Sequence, residues 1–101
     1  MDTIDSNSYT RRIAAGLVLL DFSAQWCQPC QLIKPLLQEL EDEHKEIVFL
    51  TLDCDENKSF IKELGITSVP TLHLYQDGKL LKAVEGLQTK AALENWLDSY
   101  G

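Results

Sequence analysis

Cys27 and Cys30, in the run Trp26-Cys27-Gln28-Pro29-Cys30, are the residues whose type and spacing most directly suggest chemistry. A Cys-x-x-Cys pair either cycles between dithiol and disulfide or supplies half of a zinc or iron–sulfur site. A metal would need two more ligands; Cys54, His44 and His73 are available but scattered, with no second cysteine pair. The redox reading is therefore favoured, and the context supports it. The pair follows an apolar strand-like segment and opens a segment of helical periodicity. Unpaired backbone N–H groups and the positive end of the macrodipole at a helix N-terminus favour a thiolate, the species that attacks a disulfide. Cys27 is thus the expected nucleophile. Cys30, one turn on and on the same side, is the expected resolving thiol, which attacks the mixed disulfide on Cys27 and releases the reduced substrate. Pro29 suits a first-turn position, where no N–H need be donated and a fixed φ holds the turn.

The elements that must position this pair are read from periodicity. After an extended start near Thr3 to Asp5, residues from Ser8 to Ala15 form an expected helix stopped by Gly16. Leu17 to Phe22 is apolar without alternation, as in a strand covered on both faces, and should be central. From Cys27 to His44, Leu32, Ile33, Leu36, Leu37 and Leu40 recur at helical spacing, and Pro35 should kink this longest helix. Ile47 to Leu52 is a second strand, and Lys58 to Leu64 a short helix ended by Gly65. Thr71 to Tyr75 and Leu80 to Val84 flank Asp77-Gly78, a tight-turn dipeptide, so they should form an antiparallel hairpin. Thr89 can cap a last helix with the stripe Leu93, Trp96, Leu97. Strands joined through helices are expected to be parallel, giving a mixed sheet with helices on both faces.

Composition bounds the rest. With 101 residues, 45% of them hydrophobic and 25% charged, the chain has room for a single domain, 1–101. A net charge of −7 argues against nucleic acid or an anionic membrane as partner. No apolar run approaches the roughly 20 residues a spanning helix needs. The first twelve residues do not resemble an export signal, and three cysteines are too few for a disulfide-stapled secreted scaffold. A reducing, cytoplasmic compartment and a protein partner are the expectation.

Several separated features together resemble the thioredoxin family over nearly the whole chain. They are the run Asp21-Phe22-Ser23-Ala24-Gln25-Trp26-Cys27-Gln28-Pro29-Cys30, the helix-interior Pro35, the triplet Val69-Pro70-Thr71, and the late glycines Gly78 and Gly86. The resemblance implies the thioredoxin fold, an α/β single domain with a central mixed sheet flanked by helices. It implies a protein-disulfide reductase with a reversible Cys27–Cys30 disulfide, no bound cofactor, and electrons drawn indirectly from NADPH through thioredoxin reductase. It implies a monomer acting on disulfide-containing proteins. It casts Asp21 as the acceptor of the Cys30 proton, consistent with a carboxylate ending an apolar strand. Val69-Pro70 becomes a cis peptide bond beside the dithiol, and Trp26, Val69, Pro70 and Gly86 become substrate contacts. A dithiol that isomerises or forms disulfides, and an interaction module with an incidental dithiol, are the alternatives.

The chain departs from the family pattern at Gln28, Ser23, Gln31, Thr51 and Glu85. Gln28 stands where glycine is common, Ser23 where an aromatic is common, and Gln31 where a lysine or arginine is common. Thr51 replaces a lysine near the buried aspartate, and Glu85 an apolar or small residue before the late glycine. Fewer cations and one more carboxylate should disfavour the Cys27 thiolate. Cys54 reads as a packing residue, His44 and His73 as structural. The acidic group Glu39, Glu41, Asp42, Glu43 and Glu46 reads as a solvated surface.

Overall fold

The computed structural model describes residues 1–100. In chain order these form β1 (Asp2–Ile4), α1 (Tyr9–Arg12), β2 (Leu17–Ser23), α2 (Gln28–Glu43), β3 (Ile47–Asp53), a 3-10 turn (Asp55–Asn57) running into α3 (Lys58–Leu64), β4 (Thr71–Gln76), β5 (Lys79–Glu85) and α4 (Lys90–Asp98). The strands make one mixed sheet in the order β1-β3-β2-β4-β5. β1 and β2 run parallel to β3, whereas β4 runs antiparallel to β2 and to β5.

β2 is central, as its unbroken apolar run predicts. Leu19 and the rest of its side face Ile33, Leu37 and Leu40 of α2 and Leu93, Trp96 and Leu97 of α4. Val18, Leu20 and Phe22 pack on the other side with Ile13, Tyr75 and residues of α3. Leu32, read as part of the apolar face of α2, is exposed, so the buried stripe is narrower than the leucine count suggests. α2 is continuous through Pro35.

Two expectations are corrected. α1 ends at Arg12 and not at Ala15, because the chain after Ile13 is drawn into a tie with the β4–β5 turn. Gly16 N–H donates to Asp77 Oδ1 at 2.8 Å, and Asp77 N–H donates to the Gly16 carbonyl at 3.0 Å. Asp77 and Gly78 both take positive φ, 51° and 85°, as a two-residue hairpin turn requires. The second correction concerns β4, which follows a helix yet is not parallel to β3. The seven residues of α3 span about 10 Å, against about 23 Å for the seven strand residues of β3. The helix, packed on the face formed by Val18, Leu20 and Phe22, is therefore too short to retrace the strand. The start of β4 consequently lies at the same end as the exit of β2, which carries the cysteines.

Candidate functional site

Cys27 is the N-cap of α2, with extended φ and ψ of −87° and 113°. Its sulfur accepts the backbone N–H of Cys30 at 3.2 Å, so one unpaired donor of the helix start is spent on the sulfur itself. Cys27 and Cys30 are joined as a disulfide with Cα atoms 5.3 Å apart, well within bridging range. Cys30 is fully enclosed, and Cys27 is buried at the edge of the surface. Pro29 falls in the first turn, where no intrahelical donor is lost.

The Val69–Pro70 bond is cis, as the resemblance implies, and the Val69 carbonyl oxygen lies 3.6 Å from Cys27 Sγ. Two bonds hold this segment in place. Gly86 N–H donates to the Pro70 carbonyl at 2.8 Å, and the Thr71 hydroxyl donates to the Ser68 carbonyl at 2.7 Å. Beside the dithiol, Trp26, Ile61, Ile66, Thr67, Ser68 and Val69 line an open groove of about 270 Å³. Trp26 is 72% exposed, unusual for so large an apolar ring, and gives this groove a platform. Gly86 is not among the lining residues; it acts on the groove through its bond to Pro70.

A second, polar recess lies on the α2 side of the sheet. It has a volume of about 120 Å³ and is lined by Thr3, Ser23, Ala24, Gln25, Lys34, Thr51 and Asp53. Asp21, fully buried in the row below, has its pKa pushed up to about 7 by burial, against the opposing pull of the Lys34 ammonium and the Thr51 hydroxyl. Thr51 Oγ1 donates to the Asp21 carbonyl oxygen at 3.2 Å and lies 3.5 Å from Oδ2. Asp21 Oδ1 and Ser23 Oγ have no hydrogen-bond partner among the described residues. Gln31 directs its amide at the Ala24 and Gln25 carbonyls, at 3.4 and 3.5 Å, and so braces the loop before Cys27. Glu85, paired across the sheet with Thr71, is exposed.

Sequence reasoning brought Asp21, Trp26, Cys27, Cys30, Val69 and Pro70 to one end of the sheet, and the structure places them there. It missed Lys34. The available signal was spacing, since Lys34 follows Cys30 by one helical turn and shares its side of α2. Cys54 is buried and unpaired with another cysteine; burial and the nearby carboxylates of Asp53, Asp21 and Asp55 push its thiol up to about 11. His73 is a core histidine. Among the described residues, no three His, Cys, Asp or Glu side chains are grouped to hold a metal, and no helix is long and apolar enough to cross a membrane.

The sequence profile of the Thioredoxin family matches residues 1–99. The chain belongs to the thioredoxin family. It is 37% identical over 90 residues to a thioredoxin of Chlamydia caviae, covering 89% of this chain and 88% of that protein. It is 48% identical over 71 residues to the chloroplastic thioredoxin F of Oryza sativa, covering 69% of this chain but only 38% of that longer protein. A solved thioredoxin structure from Plasmodium falciparum superposes with a TM-score of 0.92 at 28% identity, over 100% of both chains. As a thioredoxin-family member with the paired cysteines in place, the chain is a thiol–disulfide oxidoreductase that reduces protein disulfides, with Cys27–Cys30 as its redox-active disulfide. The family works without a bound cofactor.

Proposed function

We propose that Cys27 attacks the substrate disulfide, Cys30 resolves the resulting mixed disulfide, and Asp21 accepts the Cys30 proton. The observation that carries this reading is the asymmetry of the pair. Cys27 Sγ sits beside the groove and accepts the Cys30 N–H, whereas Cys30 is fully enclosed and cannot meet a protein substrate first. A thiolate on Cys27 gains from that N–H and from the helix start. An extended substrate segment lies over Trp26, Ile66 and Val69, pairing with the Val69 backbone, and its disulfide is presented to Cys27 next to the Val69 carbonyl. Cys30, as thiolate, then attacks Cys27 Sγ. A Cys27–Cys30 bond forms, the Cys27–substrate bond breaks, and the substrate leaves as a thiolate.

In the full cycle the protein carries electrons from NADPH to protein disulfides, re-reduced by a flavoprotein of the thioredoxin reductase type. It acts as a monomer in the cytoplasm, where thiols are kept reduced. The test is trapping. Cys30→Ser is expected to accumulate a covalent adduct with a disulfide-containing protein such as insulin, and Cys27→Ser to form none and to lose NADPH-coupled insulin reduction. An adduct on Cys27→Ser but not on Cys30→Ser would reverse the roles. Wild-type rates in both variants would make the dithiol incidental.

A further inference from the structure

His73 lies on the sheet face covered by α1 and α3, set edge-on to Phe22 at 4.8 Å and buried. Its Nδ1 is 3.0 Å from Tyr75 OH, which is 2.7 Å from Tyr9 OH, and Tyr9 rests edge-on against Phe60 of α3 at 4.8 Å. Next to Phe60 on α3 stands Ile61, whose carbonyl accepts the Ile66 N–H at 3.1 Å. Ile61 and Ile66 both line the apolar groove. An unbroken line of contacts thus runs from the His73 ring to one wall of the groove.

The imidazole also has a second place to go. In the edge strand β5, Ala83 is paired with His73 and Glu85 with Thr71. Opposite residues of an antiparallel pair share a face, and diagonal neighbours there lie about 7–8 Å apart, within reach of long side chains. Glu85 is therefore the diagonal neighbour of His73, reached across the small, exposed Ala83. In the present conformation His73 is engaged by Tyr75 and Glu85 is exposed. No other element brings a counter-charge to the ring. Leu20 and Phe22 of β2 and Phe60, Ile61 and Leu64 of α3 are apolar, and Tyr9 and Cys54 bring only a hydroxyl and a thiol. Arg11 of α1 and Lys58, Lys62 and Glu63 of α3 are exposed, and Arg12 is paired with Asp2. Lys79 and Lys82 of β5 pair with Gln76 and Leu74, whose side chains point to the opposite face.

We propose that His73 is a proton-operated toggle beneath the groove: neutral, it holds Tyr75 and, through Tyr9, keeps the α3 wall seated; protonated, it swings past Ala83 to Glu85 and that wall loosens. A neutral imidazole satisfies Tyr75 at no electrostatic cost. An imidazolium left between Leu20 and Phe22 is a buried charge without a counter-charge, and one hydrogen bond to Tyr75 does not offset that. Burial already holds the closed ring below its ordinary value. At Glu85 the same cation is hydrated and paired, so protonation and opening go together. The proton comes from solvent and returns to it, and no covalent bond changes. His73 is a positioning residue that touches neither substrate nor sulfur. The consequence is weaker capture of protein substrates in mild acid, which rests on the reading of the groove as the surface that takes the substrate segment.

An NMR titration of the full chain, following the His73 ring nitrogens and the Ile61 and Ile66 methyls, tests the toggle. Ring and methyls are expected to share one midpoint, below the ordinary 6.5. Glu85→Gln, at an exposed position, is expected to move that midpoint down and Tyr75→Phe to move it up, each by about half a pH unit or more. His73→Phe is expected to abolish the methyl response. In NADPH-coupled insulin reduction, the wild-type KM is expected to rise about five-fold or more relative to His73→Phe between about pH 7 and about pH 5.5, with kcat following one pH profile in both. An unmoved midpoint in Glu85→Gln, or methyls that do not follow His73, overturns the toggle, and the Glu85 variant decides this even where His73→Phe does not fold. A toggle intact by NMR with a flat KM ratio overturns instead the reading of the groove as the substrate surface.

Discussion

Asp21 and Cys54 show how burial, as the largest of several influences, assigns opposite parts to two groups. Asp21 is enclosed with one weak hydroxyl contact and one cation, so desolvation dominates and its carboxyl titrates near 7, where a proton can be both taken and returned. The same burial makes Asp21 a cost to stability whose sign follows from linkage. The native chain holds a proton that the unfolded chain, with its carboxyl near 3.8, has already lost, so this cost grows as pH rises from about 4 to 7. Asp21→Asn removes that burden. Urea denaturation of the oxidised protein should show the asparagine variant more stable by about 2–4 kcal/mol at alkaline pH, with the gain vanishing in acid. An equal gain at both ends would mean that charge is not the cause. Cys54 is pushed the other way from usefulness, since a thiol raised to about 11 is almost wholly protonated at neutral pH. Alkylation of the reduced native protein at neutral pH, read by mass spectrometry, should therefore label Cys27 and spare Cys54 until denaturant is added.

Among the elements, α1 is the one held by others. Four helical residues are too few to persist alone. What fixes it is a chain of polar contacts into β4: Tyr9 OH lies 2.7 Å from Tyr75 OH, which lies 3.0 Å from His73 Nδ1, with Tyr9 also set edge-on against Phe60 at 4.8 Å. Burial keeps His73 below its usual range and so neutral. Tyr75→Phe leaves the buried His73 nitrogen without this partner and should cost about 1–3 kcal/mol. Tyr9→Phe should cost less, because Tyr75 keeps His73. Denaturant titration of both variants checks the order, and equal losses would count against the chain. This network was invisible in the sequence, where Tyr9, His73 and Tyr75 are separated by up to 66 positions. Legibility followed locality. β2, β3, the Asp77-Gly78 hairpin and the Thr89 cap, whose hydroxyl accepts the Ala92 N–H at 3.1 Å, rest on signals within a few residues and were readable. The early end of α1 and the antiparallel entry of β4 depend on pairings between distant segments and were not. The site divides in the same way. Cys27, Cys30 and Pro29 announce themselves by spacing, and Asp21 by polarity in an apolar run. Lys34 was passed over because a lysine in a helix is ordinarily a solvated residue, and only the sheet beneath it gives it a carboxylate to face.

For the molecule as a whole, the net charge of −7 acts at a distance from the dithiol. The acidic residues Glu39, Glu41, Asp42, Glu43 and Glu46 cluster around the C-terminal end of α2 and just beyond it, whereas Cys27 caps the start of that 16-residue helix. At 1.5 Å per residue the separation is roughly 18–24 Å or more. Part of the cluster is already neutralised, since Lys90 Nζ lies 2.7 Å from Glu43 and 3.2 Å from Glu39. The screening length is about 8 Å at physiological salt and about 30 Å at 0.01 M, so the cluster reaches the groove only in dilute buffer. Reduction of an anionic peptide disulfide should accordingly speed up several-fold as salt is raised from about 0.01 to 0.15 M, and that of a cationic one should slow. The double variant Glu39→Gln, Glu43→Gln should flatten both salt dependences while leaving the rates near 0.15 M unchanged. A change at the higher salt would place the acidic face in contact with the substrate. An unchanged rate leaves substrate choice at physiological salt to the groove itself, lined by Trp26, Ile66 and Val69.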